Sequence, residues 1–391
     1  MEHVTKNMEQ RDFHATINIV TWNSEEYIED LIKSLEAQTF QGFQIIVVDN
    51  ASSDKTLEIL KKYPRIIILK NSSNQGFSRA HNKGIDLALK FWHARPNFLT
   101  GEPNAAASQY KNLGGHEEKL DDRFIFIVNP DIVLKDDCLE KMLKSIYEEK
   151  NTAIMGPKLL RIYEEEIDNL PHKSRSNIID SLGIKISKSR NITDKFSGQE
   201  EKPDLAKREV FGVSGAFMCL RASALEDIKW KKPRPNFCET KTWAGREYFD
   251  EDFFAYKEDA DMCWRLQNMG WKIMLAPEAV AYHYRKVRGD AKTSLWKKFQ
   301  NQKYKSSTIK FLSVRNHLWT ILKNDFTINH LIYFPLVFFR EFGKFLYTLF
   351  LDTKNVQAYF SAIAGMPKML RKRKYLQTAK VGAKEMRKWF E

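Results

Sequence analysis

The feature that most constrains the fold is a regular alternation of short apolar runs with longer amphipathic segments in the first third of the chain. Uninterrupted apolar runs of this length are typical of strands buried on both faces. The segments between them place apolar residues three and four positions apart, which predicts helices. The predicted strands are Thr16–Val20, Gln44–Val48, Ile66–Leu69 and Phe124–Val128, and the predicted helices are Glu25–Gln38, Asp54–Tyr63 and Ser78–Trp92. This order predicts an α/β fold with a mostly parallel central sheet.

Later segments extend the same unit. Residues 93–123 are rich in Gly, Asn, Ala and charge, so we expect an inserted surface loop there. Arg161–Arg208 is a second polar segment. The remaining predictions are a strand pair around Val210–Leu220, an irregular stretch at Asn236–Asp252, a helix at Lys257–Met269, and strands at Trp271–Ala276 and Val280–His283. We therefore expect one α/β domain over residues 1–284 and a helical C-terminal region over residues 285–391.

Charge separates these two regions. Residues 285–391 contain 23 Lys and Arg against 6 Asp and Glu, a net charge of +17, whereas the first 284 residues carry −4. Such asymmetry favours an anionic surface as partner, either a membrane or a nucleic acid. No nucleic-acid-binding module accompanies the charge, so we expect no nucleic-acid partner.

Cysteine usage and hydropathy bear on location. Cys138, Cys219, Cys238 and Cys263 form neither a CxxC pair nor a zinc-ligand spacing with His, which predicts reduced thiols. The first residues are polar, without the apolar stretch of a secretion signal. No uncharged apolar run approaches the roughly 20 residues of a membrane span. These features predict a cytoplasmic protein.

Carboxylates follow several of the predicted strands, at the edge where open α/β sheets bind ligands. Asp49 ends the second strand, and Asp54 is either a helix N-cap or a ligand contact. Asp131 follows the fourth strand in VNPDI, a sequence that alone is usually a turn but here could supply an oxygen ligand to a divalent cation. No GxGxxG follows the first strand, which argues against a dinucleotide-dependent dehydrogenase.

Three further groups carry potential chemistry. In NQGFSRAHNKG, Gly76 allows close backbone approach to a ligand, and Arg79 faces either phosphate or solvent. Glu258, Asp259 and Asp261 lie at the start of a predicted helix, where they either complement its dipole or supply a general base. His283 follows the last predicted strand and is either structural or a metal ligand.

The ordered series of motifs resembles the family two inverting glycosyltransferases of the GT-A fold, and particularly the bacterial rhamnosyltransferase-like branch. The resemblance covers about Thr16 to Tyr284. Its motifs are TWNSEEYI (21–28), VVDNASSDKT (47–56), NQGFSRAHNKG (74–84), VNPDI (128–132), VSGAFMCLR (213–221) and EDADMCWRLQNMGWKI (258–273). It implies a GT-A-type nucleotide-sugar-binding domain followed by a C-terminal helical extension.

The resemblance also implies residue roles. The nucleotide site would contain Thr21, Asn23, Glu25, Asp49, Asn74, Arg79 and Asn129. Asp131 would be the main ligand of Mg²⁺ or Mn²⁺, because Asn129 occupies the first position of the family's Asp-X-Asp motif, and His283 would be a further ligand. Asp259 would be the catalytic base, with Glu258 beside it. Gly215 and Trp264 would form the acceptor site.

The implied reaction moves a sugar, rhamnose or a similar hexose, from a dTDP- or UDP-linked donor to a hydroxyl group. One displacement would invert the anomeric carbon, and the acceptor would be a glycan or lipid-linked molecule of cell-surface polysaccharide synthesis. A catalytically inactive nucleotide- or glycan-binding protein on the same fold is the alternative. A membrane scaffold is a third class.

The C-terminal region combines apolar and basic segments. Within Leu336–Asp352, Arg340, Lys344, Thr348 and Asp352 are spaced by four and share one helix face, while aromatic and aliphatic residues cover the rest. Arg371–Lys374 (RKRK) follows. This pattern predicts either a helix lying on an anionic membrane, with Phe338, Phe342 and Phe345 inserted, or packing on the α/β domain or a homodimer partner. We expect a peripheral protein at the inner face of a bacterial cell membrane.

Overall fold

A computed structural model describes residues 15–93, 123–167, 170–201, 206–231, 246–285 and 306–391. The predicted loop at 93–123 lies outside these ranges except for its two end residues. Cys238, most of Asn236–Asp252 and the basic residues 286–305 also lie outside them.

The described strands alternate with helices through the first half of the chain. The strands are β1 (Ala15–Thr21), β2 (Phe43–Asp49), β3 (Ile66–Lys70), β4 (Phe124–Val128), β5 (Ile132–Leu134), β6 (Thr152–Ile167), β7 (Leu170–Ser181), β8 (Ile184–Ile186), β9 (Ile192–Asp194), β10 (Arg208–Glu209), β11 (Phe217–Arg221), β12 (Trp230–Lys231), β13 (Arg246–Glu247) and β14 (Lys272–Arg285). The α-helices are α1 (Ile28–Glu36), α2 (Thr56–Leu60), α3 (Gly76–His93), α4 (Cys138–Glu148), α5 (Ala222–Ile228), α6 (Glu258–Asn268), α7 (Ser307–Asn324), α8 (Thr327–Ile332), α9 (Phe334–Leu351), α10 (Gln357–Arg373) and α11 (Ala383–Met386). The predicted α/β alternation is confirmed.

The central sheet has the strand order β10-β14-β6-β11-β4-β1-β2-β3, with β5 paired to β14 and β7 to β6. Strands β4, β1, β2 and β3 are mutually parallel, whereas β11 runs antiparallel between β4 and β6. Parallel pairing brings the carboxyl ends of β1, β2 and β4 to one edge of the sheet. That edge positions the candidate site.

Continuous apolar strands bury both faces of this sheet. Ile17 and Ile19 of β1 pack towards α1 and α4, within a cluster that includes Leu31 and Leu139. Strand residues whose side chains point to the other face of the sheet, such as Ile46, pack into the cluster under α3 and α6. Burial on both faces explains why these strands show no polar alternation.

Two sequence predictions differ from the structure. The polar segment Arg161–Arg208 contains most of a long antiparallel hairpin, β6–β7, and a shorter one, β8–β9. The strands predicted at Trp271–Ala276 and Val280–His283 are one strand, β14, with an irregularity in its pairing between Ala276 and Val280. A bulge of this kind leaves unpaired residues that look like a strand break in the sequence.

The C-terminal helices pack on the α/β domain. Met386 and Phe390 share a core with Trp264 of α6 and Ile186 of β8. Trp319 of α7 packs with Phe253 and with Met369 of α10. Helices α7, α10 and α11 therefore pack on the α/β domain.

Helix α9 has the reverse of the usual surface arrangement. Its polar residues face the protein: Thr348 is buried, and Arg340 contacts Glu341 and His317. Its aromatic residues face outward, with Phe339 71% and Phe350 73% exposed. Phe345, predicted to insert into a membrane, instead packs edge-on against Tyr359. None of the described helices is both long and apolar enough to cross a bilayer.

A buried ionic cluster joins the two regions. Lys323 of α7 is fully buried and contacts carboxylate oxygens of Asp250 at 2.5 Å and Asp261 at 2.6 Å. Lys372, within the predicted RKRK patch, pairs with Asp250 and Glu247. Burial alone would raise the pKa of Asp250, but the two ammonium groups hold it below its usual range. Only Arg371 and Lys374 of the four basic residues are exposed.

Replacing Lys323 with Met tests this cluster. The substitution leaves Asp250 and Asp261 buried without Lys323, and removing one partner of a buried pair costs about 3–5 kcal/mol. We expect the free energy of unfolding, measured by urea titration of tryptophan fluorescence, to fall by about that amount. Lys33→Met removes an exposed pair with Glu29 and should leave the urea midpoint unchanged. Equal midpoints for the two variants would contradict the assigned role of the cluster.

Candidate functional site

Two loops at the carboxyl ends of β1 and β2 are cross-linked by side chains. Thr21 Oγ1 donates to Asp49 Oδ1 at 3.0 Å, and the Ser52 backbone N–H donates to Asp49 Oδ2 at 3.1 Å. Asp49 is only 1% exposed, so its carboxylate mainly organises this loop pair. Asp54 accepts a hydrogen bond from the Glu25 backbone N–H and another from Thr56, so it also joins the loops.

The outer rim of this loop pair is more open. Asn23 has a φ of 51° and accepts a hydrogen bond from the Ser53 backbone N–H at 2.8 Å. Glu25 accepts from the Lys55 backbone N–H at 2.8 Å. Both side chains are exposed, as is Trp22, which sequence reasoning did not single out. The structure thus brings Thr21, Asn23, Glu25 and Asp49 together, as expected.

The start of α3 lies against the segment that precedes α6. Asn74 Oδ1 accepts from the Gly76 backbone N–H at 2.9 Å. Gly76 has a φ of +80°, and a Cβ there would lie 2.5 Å from the Phe254 carbonyl oxygen, so a side chain cannot fit. Arg79 Nε pairs with Glu251 Oε2 at 2.9 Å, and its side chain remains 56% exposed.

A carboxylate–histidine–carboxylate chain connects β14, β7 and the turn after β4. His283 Nε2 lies 3.2 Å from Asp131 Oδ2, and its Nδ1 lies 2.8 Å from Asp180 Oδ2. Arg285 donates to both oxygens of Asp180, at 2.8 and 2.9 Å. Burial opposes protonation of His283, but the hydrogen bonds with Asp131 and Asp180 raise its pKa to about 9.

The row of Asp131, His283 and Asp180 has some features of a cation-binding site. Asp131 Oδ1 is buried and makes no hydrogen bond to the described residues. Asp180 orients the imidazole through Nδ1, which directs Nε2 towards Asp131, and carboxylate-oriented imidazoles of this kind are typical of metal ligands. Among the described residues, no cluster of three or more His, Cys, Asp or Glu could hold a metal.

Asp259 lies at the mouth of a pocket of about 360 Å³. Its Oδ2 accepts a hydrogen bond from the Gly215 backbone N–H at 3.0 Å, and Gly215 leaves room for that contact because a Cβ there would lie 3.2 Å from Asp259 Cβ. The other lining residues come mainly from the β8–β9 hairpin and are Ile184, Ile192, Thr193, Asp194, Ser197, Ser214 and Lys257. Hydroxyl, ammonium and carboxylate groups suit a polyhydroxylated ligand.

The neighbouring acids differ sharply from Asp259. Glu258 is buried, and burial together with the nearby Asp259 charge raises its pKa to about 8. It is therefore mostly neutral at pH 7. Asp261 is fully buried between Arg265 and Lys323. Of the three acids predicted at the start of α6, only Asp259 lines the pocket.

Trp264 was expected in the acceptor site, and this expectation is wrong. Its side chain is fully buried, edge-on to Phe211 and Phe390. Sequence reasoning also missed Asp180, although an acidic residue inside the apolar sequence IIDSL is a signal for a buried pair. Asn129 lies after β4, half-buried, with its backbone N–H bonded to the Ala216 carbonyl.

Two family models match the chain. Residues 16–92 match "Glycosyl transferase family 2", and residues 202–363 match "Glycosyl transferase family group 2". The first covers β1 to α3 and the second includes α6, so they contain the loop pair and Asp259 respectively. The second match also extends through α7 and α9 into α10.

Similar proteins agree with this assignment. An N-acetylglucosaminyl-diphospho-decaprenol L-rhamnosyltransferase of Mycobacterium tuberculosis is 22% identical over 68% of this chain and 74% of its own length. Rhamnosyltransferase WbbL of Escherichia coli is 25% identical over 68% of this chain and 82% of its own length. A crystal structure of GalNAc-T7 with UDP, GalNAc and Mn²⁺ aligns with a TM-score of 0.50 at 11% identity, over 80% of this chain and 48% of that one. Together with the GT-A-type fold, these matches support a family 2 glycosyltransferase.

Proposed function

We propose that this protein transfers a hexose, rhamnose or a similar sugar, from a nucleotide diphosphate to a hydroxyl of a glycan or lipid-linked acceptor. The position of Asp259 supports the proposal most directly. Its carboxylate lies at a polar pocket large enough for a sugar unit and is fixed by the Gly215 backbone N–H. The two similar rhamnosyltransferases, one named for a diphospho-decaprenol acceptor, support the sugar and acceptor class.

Asp259 would act as the general base. A carboxylate beside the acceptor hydroxyl removes its proton as the oxygen attacks the anomeric carbon, so the configuration inverts in one displacement. Burial keeps Glu258 neutral, and a neutral neighbour does not compete for that proton. Gly215 holds Asp259 in place and leaves the acceptor space beside it.

The donor nucleotide would lie on the loop pair after β1 and β2. Asn23 and Glu25 present exposed polar side chains there, and Asp49 with Thr21 sets the shape of the loops. Asn74 orders the turn before α3, and Asn129 lies at the adjacent strand end. These contacts suit a dTDP- or UDP-linked sugar, with the diphosphate directed towards Asp131.

Asp131 and His283 would hold Mg²⁺ or Mn²⁺, together with phosphate oxygens and water. Such ions commonly keep few protein ligands and share substrate phosphates. A bound cation would supply charge neutralisation for the departing diphosphate. A cation would bind Nε2 of His283 only with release of its proton, while Asp180 would accept the Nδ1 proton and orient the ring.

The apolar face of α9 would rest on an anionic membrane. This face is formed by Phe338, Phe339, Phe342 and Phe350. It is exposed because the polar residues of α9 face the protein, and an exposed apolar face of this kind is typical of a binding surface. Arg371 and Lys374, exposed on and just after the basic end of α10, add attraction to acidic lipid. A lipid-linked acceptor would then reach a cytoplasmic enzyme at the inner membrane face. A homodimer is the competing use of the same face.

Asp259→Asn tests the reaction. The amide preserves size but cannot accept a proton, so kcat should fall about 10²-fold or more while UDP or dTDP affinity, measured by calorimetry, is retained. Turnover is followed as release of nucleotide diphosphate. Glu258→Gln is the matched control, because at pH 6.5, below its pKa of about 8, the glutamate is already neutral, and the loss should stay below tenfold. Nucleotide binding without turnover in the wild-type protein would identify an inactive binding protein instead.

Removing the cation ligands tests the metal assignment. Asp131→Ala and His283→Ala should each weaken Mn²⁺ binding about tenfold or more, measured by electron paramagnetic resonance with UDP present, and should abolish most turnover. Asp137→Ala, which removes a carboxylate paired with Lys141 on α4, is the control and should bind Mn²⁺ normally. Full turnover of the wild-type protein in excess EDTA would refute the assignment.

The membrane proposal predicts vesicle binding that depends on the α9 face. Full-length protein should co-sediment with phosphatidylglycerol vesicles at low salt and less at high salt. Phe339→Asp with Phe350→Asp should abolish binding, whereas Tyr147→Asp, at an exposed aromatic of α4, should not. Arg371→Glu with Lys374→Glu should weaken it by roughly 1 kcal/mol per residue. The face would instead be assigned to self-association by two results together. These are no vesicle binding at low salt, and a dimer in sedimentation velocity that Phe339→Asp dissociates.

A further inference from the structure

The segment between the 3-10 helix Glu251–Phe253 and α6 is held in a strained conformation. Phe254, Tyr256 and Lys257 have φ angles of 65°, 70° and 73°, although none is glycine. Phe254 has a ψ of −66°, and the Ala255 backbone N–H donates to the Phe253 carbonyl at 2.8 Å, which is a γ-turn of the rare positive-φ type. Strain of this kind persists only where surrounding contacts enforce it. We call residues 254–257 the strained loop.

The enforcing contacts come from α7. The Asn316 side-chain amide is fully buried and donates towards the carbonyls of Phe253 at 2.9 Å, Ala255 at 2.8 Å and Tyr256 at 2.8 Å. Arg315 donates from one Nη to the carbonyls of Asp252 and Phe253, and from Nε to Asn316 Oδ1. Two adjacent residues of α7 therefore bind four carbonyl groups, those of Asp252, Phe253, Ala255 and Tyr256.

Both ends of the segment are fixed by the same helix. Lys323 contacts Asp250 before the loop and Asp261 after it, and Asn324 donates to Asp261 at 2.7 Å. On the opposite side, the Ser78 backbone N–H donates to the Phe254 carbonyl. The strained loop is thus enclosed between α7 and the start of α3.

We propose that Asn316 and Arg315 are positioning residues for sugar transfer, and this rests on the proposed role of Asp259. Asp259 is the second residue of α6, directly after the strained loop. Without the Asn316 amide, the carbonyls of Ala255 and Tyr256 lose this donor, whereas that of Phe253 keeps Arg315 and the Ala255 N–H. Residues 254–257 can then relax towards negative φ. That relaxation turns the first residues of α6 and moves the Asp259 carboxylate away from Gly215 and the pocket.

Asn316→Ala in the full-length protein is the test. We expect kcat to fall about tenfold to a hundredfold, the cost of small misplacements of catalytic groups, while UDP and dTDP affinities stay within about threefold. Amide hydrogen exchange at residues 254–260 should accelerate about tenfold or more. Asn329→Ala is the matched control, because Asn329 is equally buried and donates to a backbone carbonyl, that of Ala383 in α11. It should leave both kcat and this exchange near the wild-type values.

A rescue separates positioning from general stability. Tyr256 is exposed, and glycine adopts its φ of 70° without strain, so Tyr256→Gly added to Asn316→Ala should recover kcat about threefold or more. If Asn316→Ala does not fold, Arg315→Lys serves as the milder variant, with the same changes expected in kcat and exchange. The proposal would be overturned if Asn316→Ala kept the kcat of the wild-type protein. It would also be overturned if the variant lost activity only through weaker nucleotide binding. The exchange measurement requires no turnover, so it distinguishes a wrong positioning role from a wrong reaction.

Discussion

The fold depends on the buried ion cluster around Lys323. One ammonium group, without solvent exposure, contacts Asp250 and Asp261 on either side of the segment that begins α6. Buried charges of this kind are tolerated only when geometry and hydrogen bonding are nearly complete, and Arg265, Asn324 and Lys372 complete the set here. The C-terminal helices therefore contribute to the structure of the α/β domain rather than being attached beside it.

Sheet topology explains why much of the site was predictable. Parallel strands direct successive loops to one edge, so a polar residue immediately after an apolar run marks that edge. Asp49 and Asp131 were identified in this way, and each lies at or just after the end of its strand. Asp259 was identified from its helix start and family motif, and it lines the polar pocket. Local sequence pattern is sufficient to predict a site residue when its place along one strand or helix determines where it lies in the fold.

Other predictions depended on contacts between distant segments and could not be made locally. Trp264 was expected in the acceptor site from the family resemblance, yet its ring is buried against Phe390. The RKRK sequence suggested a solvated patch, but Lys372 pairs with Glu247 and Asp250. Asp180 and His283 are 103 residues apart in the chain and meet through the β6–β7 hairpin. Charge density in a sequence does not reveal which charges find partners after folding.

The dependence of the strained loop on α7 has a consequence for how the protein is made. Asn316 and Arg315 leave the ribosome after Asp259, so the nascent α/β domain can collapse before its loop is held in place. Until α7 docks, the carboxylate that lines the pocket lacks its supports. On the proposed role of Asp259, activity would begin only after the downstream helix α7 has docked on the domain.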